Sequence, residues 1–565
     1  MLAKKFFAMK DYKKEYRDFS FSVPERFSFP LDVFDKWGDR LALFWTDSKK
    51  EKKFSFEELK ILSSKGASAL KEIGIQKSDK VLVMLPNIPE WWEVMLALMR
   101  LNAIPIPATT LLTSRDIEYR LSVTDIKAII ATDEDAVKAE DAINSFYAMT
   151  SGSIPLLIIV DVNNNPPIPP LLKGGEGGFS GERKGWHDYI RERDRADAFE
   201  GERTFSDEPS LIYFTSGTTG PPKMVLHTQA SYPLAHLITG KYWLDLKPGD
   251  IFWNLSDPGW AKAAWSSLFG PWHMGATVFS FYKKGKFDPS LTLEIMQKYP
   301  ITTFCGPPTA YRMIVKEVPV QRFALQTLRH FVAAGEPLNK EIIEVWKKKT
   351  GRYIYDGYGQ TETVNVLANF SCLPVKPGSM GVPVPGFIVD VVDENGNPVP
   401  PRMEGEIAIK ITPKKPVGIF DEYLGNPEAT EKTIKGQWYI TGDMAYKDED
   451  GYFWFIGRVD DIILSSGYRI GPFEIESILI EHPSVKESAV VASPDEVRGE
   501  VVKAFIVLTE EYRPSDALAE EIQDFVKKQT APYKYPRKIE FIEELPMTIS
   551  GKIKRKELKM REFGK

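Results

Sequence analysis

The chain has 565 residues, 43% apolar and 27% charged, and its 73 basic and 78 acidic side chains leave a net charge of −5. That length is too great for one core, so two or more domains are expected, and there is no basic excess to support nucleic-acid binding. Its two cysteines, Cys305 and Cys372, lie far apart with no metal-ligand spacing near either, which fits a reduced, cytoplasmic setting.

The opening "MLAKKFFAMKDYKKEYRDF" carries basic residues but only a short apolar run, so it is a poor signal peptide. The most apolar window, "WWEVMLALMRLNAIPIPA", is interrupted by Glu93, Arg100 and then prolines. It falls short of the roughly 20 apolar residues that span a bilayer and predicts a core helix followed by a strand. Buried-strand patterns recur in "KVLVMLP", "IKAIIAT", "IPLLIIV", "ATVFSF" and "RHFVAAG", with amphipathic stretches such as 56–73 and 288–299 between them. Such alternation predicts α/β architecture with largely parallel sheets. Residues 163–185, rich in Asn, Pro and Gly, read as a low-complexity surface insertion that bears no chemistry and can be deleted without loss of fold. From about 380 the texture turns β-rich, and after 458 comes a smaller α+β unit with a helix around 515–530 and a basic tail.

One stretch stands apart. "FTSGTTGPPK", residues 214–223, follows an apolar β-type run and precedes what reads as the start of a helix. Glycine lets the backbone approach a ligand, hydroxyl and N–H groups donate to anionic oxygens, and lysine adds a charge for phosphate. The pattern reads as a polyphosphate cradle, beside the alternative of an ordinary flexible loop. It is not the G-x-x-x-x-G-K-[ST] phosphate loop, because Pro222 and Met224 stand where glycine and a hydroxyl are required. "YGQTE" (358–362), "TGD" (441–443), "GRVDDIILSSGYRIGPFEIE" (457–476) and "PMTISGKIKR" (546–555) are each weak alone. In this order and spacing, together with "SDPGW", "PVGIFDEYLGNP", "EDGYFWFIGRVDDII" and "TAPYKYPRKIEF", they make the chain resemble the adenylate-forming superfamily. The likeness runs from about residue 30 to the end and is strongest to medium-chain acyl-CoA synthetases. Pro258, the 163–185 insertion and Trp265 depart from the pattern.

The resemblance implies a large N-terminal domain, 1–458, of two α/β subdomains and a β-barrel-like subdomain, then a small mobile α+β domain, 459–565. It implies that a carboxylate attacks the α-phosphorus of ATP to give acyl-AMP and pyrophosphate, after which coenzyme A takes the acyl group. Thr215, Ser216, Gly217, Thr218, Thr219, Gly220 and Lys223 would hold the β- and γ-phosphates. Thr361 would meet the α-phosphate, and Glu362 would help hold Mg²⁺. Gly335, Glu336 and Pro337, with Asp356, Gly357, Tyr358, Gly359 and Gln360, would form the adenine slot. Asp443 and Arg458 would hold the ribose, and Lys552 would serve adenylation, which gathers charge on phosphate oxygens and so rests on positioned cations and donors.

Asp460 would be the hinge that later brings Ser466 and Gly467 to the site for the thiol. Tyr468, Arg469, Arg498 and Arg537 are candidates for coenzyme A contacts, the arginines alternatively being solvated surface. Trp260, Trp265 and Gly359 would border the acyl pocket and select a medium-chain, branched, alicyclic or aromatic acid, the tryptophans alternatively being plain core. His227 either touches that pocket or is structural. Three other readings stay open at this level: a free-standing adenylation enzyme that loads a carrier protein, a luciferase-like oxygenase, and a non-catalytic nucleotide-binding regulator.

Overall fold

A computed structural model describes residues 9–148, 153–160, 185–215, 221–465, 468–496, 498–531, 533–548 and 552–564. The helix Phe56–Ile73 shows how local signals build the frame. Ser55 accepts from the Glu58 N–H while Glu58 accepts from the Ser55 N–H, closing a capping box, and Gly74 at φ +114° ends the helix. This helix packs on Pro89–Arg100, in which every residue is buried. Buried on all sides, Pro89–Arg100 is a core helix, and the strand Ile104–Pro107 follows it as the sequence predicts. Of its three charged residues, Glu90, Glu93 and Arg100, the last two have close partners inside the fold. Glu93 accepts from the Tyr189 hydroxyl at 2.7 Å and from Arg193 at 2.9 Å, and burial raises its pKa to about 7. Arg100 meets Asp35 at 2.6 Å.

The larger N-terminal unit is α/β. One sheet runs Ile104–Pro107, Lys80–Met84, Ala128–Thr132, Leu156–Val160 and Trp186–Asp188, all parallel. A nine-stranded sheet has a parallel centre, from Ile354–Tyr358 to Leu41–Thr46, with antiparallel strands at both edges. Residues 389–458 add a five-stranded antiparallel sheet that includes Trp438–Lys447 and Phe453–Arg458. The smaller α+β unit beyond has its own core, in which Ile475, Leu479, Val490, Ile506 and Ile522 are buried together.

The structure revises two expectations. The helical segment read at 227–243 does not follow the loop directly: the strand Met224–Thr228, paired antiparallel with Pro209–Phe214, comes between and takes its first two residues. All five of its residues are buried, and the coil beyond it winds as π-helical turns, Ala230–Leu234 and Thr239–Trp243, the first containing Pro233. The candidate phosphate loop therefore joins the arms of a hairpin. Residues 163–184 lie outside the described residues, but their neighbours show that the insertion cannot be removed whole. Val160 ends one strand and Trp186 begins the adjacent strand, in parallel register Leu157↔Trp186. Parallel neighbours need a crossover of a dozen or more residues, and deleting 163–185 would leave only 161 and 162.

Candidate active site

The hairpin strands bring the ends of the candidate phosphate loop together. The Thr215 N–H donates to the Lys223 carbonyl and the Lys223 N–H to Thr215 Oγ1, both at 2.9 Å. Tyr119 adds a third anchor, its hydroxyl donating to the Pro222 carbonyl at 2.9 Å. Ser216, Gly217, Thr218, Thr219 and Gly220 lie outside the described residues, as do Ser466 and Gly467.

Tyr358 ends a strand of the nine-stranded sheet, and residues 359–362 form a turn there rather than open a helix. Gln360 and Tyr358 both reach Asp443 Oδ2, Nε2 at 2.7 Å and the hydroxyl at 2.6 Å, while Arg458 Nε stands 3.4 Å from Oδ1. Asp443 and Arg458 are register partners on adjacent strands, which fixes this pairing. Gly335 has φ +103°, a conformation that favours glycine, and the neighbouring Glu336 accepts from Thr309 at 2.8 Å. A Cβ on Gly357 would stand 2.5 Å from the Trp243 ring, and one on Gly359 would stand 2.5 Å from the ring of Trp265. Asp356 is buried, and desolvation raises its pKa to about 8 although Lys262 acts the other way.

The next turn is held from behind. His227 Nε2 donates to the Thr361 carbonyl at 2.8 Å, so its Nδ1 accepts from the Ser231 hydroxyl at 3.3 Å. Burial lowers the His227 pKa to about 3 and keeps the ring neutral, a structural role for this histidine. Glu362 Oε1 accepts from the Tyr423 hydroxyl at 2.6 Å, and Lys223 Nζ sits 4.5 Å from the centroid of the Tyr423 ring.

These groups open on one cavity of about 1550 Å³. It is lined by Thr215 and Lys223 of the loop, by Gly335, Glu336 and Pro337, by 356–362, and by Asp443, Arg458 and Asp460. Lys552 of the small unit lines the same cavity, within a turn in which Thr548 Oγ1 accepts its N–H at 3.0 Å. Polar ties hold the small unit in this orientation. Asn339 donates to Ser477 at 2.8 Å, and Lys316 Nζ lies 3.3 Å from the Val485 carbonyl.

Other expected site residues stand apart from this cavity. Trp265 is buried, bonded to the Tyr232 hydroxyl, and contributes to the wall behind Gly359; Trp260 is half-buried at the start of a short helix. Tyr468 is exposed and stacks on Tyr533 at 4.0 Å, and Arg469 pairs with Glu394 at 2.6 Å. The Arg498 N–H donates to Asp495 at 2.9 Å, and Arg537 donates to the Tyr535 hydroxyl at 3.1 Å. Tyr423 and Arg555 are among the lining residues that the sequence reading left unassigned. Tyr423 lay in the quoted "DEYLGNP" without an assigned task, and Arg555, clamped to Glu476, was one charge among many in the basic tail.

Residues 32–423 match the family described as AMP-binding enzyme, and residues 474–552 match the AMP-binding enzyme C-terminal domain. Acyl-coenzyme A synthetase ACSM3, mitochondrial, of Mus musculus is 49% identical over 98% of this chain and 93% of its own length. ACSM4, mitochondrial, of Homo sapiens is 46% identical over 96% of this chain and 91% of its own length. Among solved structures, the anthranilate CoA ligase AuaEII in complex with anthranoyl-AMP superposes with a TM-score of 0.83 at 28% identity, covering 96% of this chain and 98% of that one. The expected cytoplasmic setting is corrected by these relatives, which are named as mitochondrial enzymes. Cysteine usage reports only a thiol-reducing surrounding and could not tell one such compartment from another. Among the described residues, no helix is long and apolar enough to cross a membrane.

Proposed function

Because the chain belongs to the AMP-binding enzymes, among their acyl-coenzyme A synthetases, and uses ATP to turn a carboxylic acid through an acyl-AMP into an acyl-CoA thioester, we propose specific residues for each step and a compact acid as substrate. The observation that carries this reading is convergence: the loop ends at Thr215 and Lys223, Glu362, Asp443 and Lys552 all face one cavity.

In the first step a carboxylate oxygen bonds to the α-phosphorus and pyrophosphate leaves. Two anions meet, so the work of the protein is to position them and to supply positive charge. The loop and Lys223 hold the β- and γ-phosphates, Thr361 meets the α-phosphate, and Lys552 bridges that phosphate and the acid. Asp443, with two acceptor oxygens, takes the ribose hydroxyls beside Arg458, and the backbone of 335–337 and 356–360 borders the base. Glu362 fits magnesium that arrives with the nucleotide. One of its oxygens is engaged by Tyr423, and among the described residues no cluster of three or more His, Cys, Asp or Glu would cage a metal. A lone carboxylate with phosphate oxygens and water is an ordinary magnesium set, and the ion would neutralise phosphate charge.

In the second step the thiol sulfur bonds to the acyl carbon, its proton is lost and AMP leaves. We assign the working boundary to 458/459, with Asp460, in the exposed turn Val459–Asp461, as the hinge. Rotation there would withdraw Lys552 and bring in Ser466 and Gly467, with Tyr468, Arg469, Arg498 and Arg537 toward coenzyme A. The orientation described above, with Lys552 in the nucleotide cavity, is the adenylating one.

The acid is of medium size, branched, alicyclic or aromatic. The buried Trp265 behind Gly359 supports a short pocket, and the anthranilate ligase supports a cyclic acid. The test is a panel of acids with ATP and Mg²⁺, with and without coenzyme A, following pyrophosphate and thioester. Turnover of compact acids above both acetate and long fatty acids is expected. Preference for either extreme would overturn the substrate reading, and failure of every acid to release pyrophosphate would overturn the site assignment.

A further inference from the structure

The phosphate loop and the candidate magnesium carboxylate come from distant parts of the chain, yet one side chain touches both. Tyr423 sits on the two-residue strand Glu422–Tyr423, which pairs antiparallel with the strand that leaves the loop, in register Val225↔Tyr423. Its ring is fixed by Phe420, 4.8 Å away, and its backbone N–H donates to Thr430 at 2.9 Å. The residue is 5% exposed, and the face of its ring lies 4.5 Å from Lys223 Nζ. Its hydroxyl donates to Glu362 Oε1 at 2.6 Å.

We propose that Tyr423 is a positioning residue that sets Lys223 and Glu362 relative to each other before the nucleotide arrives, the ring acting on the cation and the hydroxyl on the carboxylate. The inference rests on the reading of Glu362 as the magnesium carboxylate. Glu362 belongs to a turn at the end of the nine-stranded sheet, whereas Lys223 belongs to the hairpin. The His227–Thr361 bond ties the two backbones, while Tyr423 is the side chain that engages both charged ends. A free lysine and a free glutamate would pair with each other or point to solvent. The phenol keeps them apart by giving each a separate partner, a π-face for the ammonium and an O–H for one carboxylate oxygen. The second oxygen is left for the metal. Glu362 is thereby aimed before magnesium binds, which spares the ordering cost at that moment.

The two halves of the side chain separate experimentally. Tyr423→Phe keeps the ring and loses the hydroxyl, whereas Tyr423→Leu loses both. Binding of ATP is measured by calorimetry, once with Mg²⁺ and once with EDTA, alongside the melting temperature of each variant. Tyr423→Phe is expected to weaken Mg²⁺-ATP about tenfold while leaving metal-free ATP unchanged, the scale of a hydrogen bond to a charged group. Tyr423→Leu is expected to weaken both forms. In a Glu362→Gln background, Tyr423→Phe should have no further effect on Mg²⁺-ATP, because the hydroxyl acts through that carboxylate. Equal affinity of Tyr423→Phe and parent for Mg²⁺-ATP overturns the proposal, as does an equal loss with and without the metal. If the parent itself gains nothing from Mg²⁺, the assignment of Glu362 falls first, and Tyr423 is left as packing.

Discussion

At the nucleotide end of the cavity, polar side chains are aimed by other polar side chains. Tyr358 and Gln360 lean on Asp443, Tyr423 on Glu362, and His227 on the Thr361 carbonyl. Around Gly359 the construction leans on packing: a buried indole, itself bonded to the Tyr232 hydroxyl, the Val364 backbone and the absence of a Cβ set the wall. The contrast separates two kinds of control. Directional bonds tie function to chemical identity, so a changed residue costs activity more than fold. Packed volume ties function to shape, so a changed residue there costs stability first.

The largest effect that would sharpen this contrast is expected at Lys552. Lys552→Ala should lower acyl-AMP formation by about 10²-fold or more, since its charge is wanted while charge gathers on the α-phosphate. Supplied acyl-AMP and coenzyme A should still give thioester at the parental rate. Equal loss in both half-reactions would mean that one fixed site serves both steps. Next comes Trp265→Ala. Removing a buried tryptophan costs about 3–5 kcal/mol of stability and should shift preference toward longer acids. An unchanged acid profile, whatever the melting temperature, would assign Trp265 to the core and not to the pocket.

The smallest effect concerns Asp356, whose folded pKa of about 8 lies above its ordinary 3.8 because of burial. A carboxyl with a raised folded pKa stabilises the fold while protonated. That contribution is complete below about pH 4 and is lost as pH rises through about 8. Asp356→Asn, neutral at every pH, should therefore melt with a flatter pH dependence between those limits. A parent and variant that lose stability in parallel across the window would show that the ionisation of Asp356 is not linked to folding.

Much of the cavity lining was legible in the sequence, because the phosphate and ribose contacts proposed for it would demand particular residue types at short spacing. The loop ends at 215 and 223, "YGQTE" and "TGD" fall on the cavity as expected. The helix Phe56–Ile73 was legible for a different reason, its amphipathic period and its Ser55 cap being local signals. Tyr423 was not legible, because its task depends on a two-residue strand pairing with a hairpin far earlier in the chain. The strand Met224–Thr228 was missed where its apolar residues ran directly into a helix-like pattern, which periodicity alone could not divide. The relation of Trp265 to Gly359 is likewise a matter of packing density, which spacing does not encode.

The connection between Val160 and Trp186 is limited in how short it can be, because the strands it joins are parallel neighbours. Loop-closure cost grows by only about 0.6 kcal/mol per doubling of length, so a longer polar segment, an epitope tag, or a reporter domain with adjacent termini should be carried there. Trimming below about a dozen residues would instead unhook the edge strand Trp186–Asp188. Tyr189 and Arg193 follow that strand directly, and they are the two groups that satisfy Glu93 inside the buried helix. A graft there is expected to be carried, whereas a cut too deep would strand the Glu93 charge in the core.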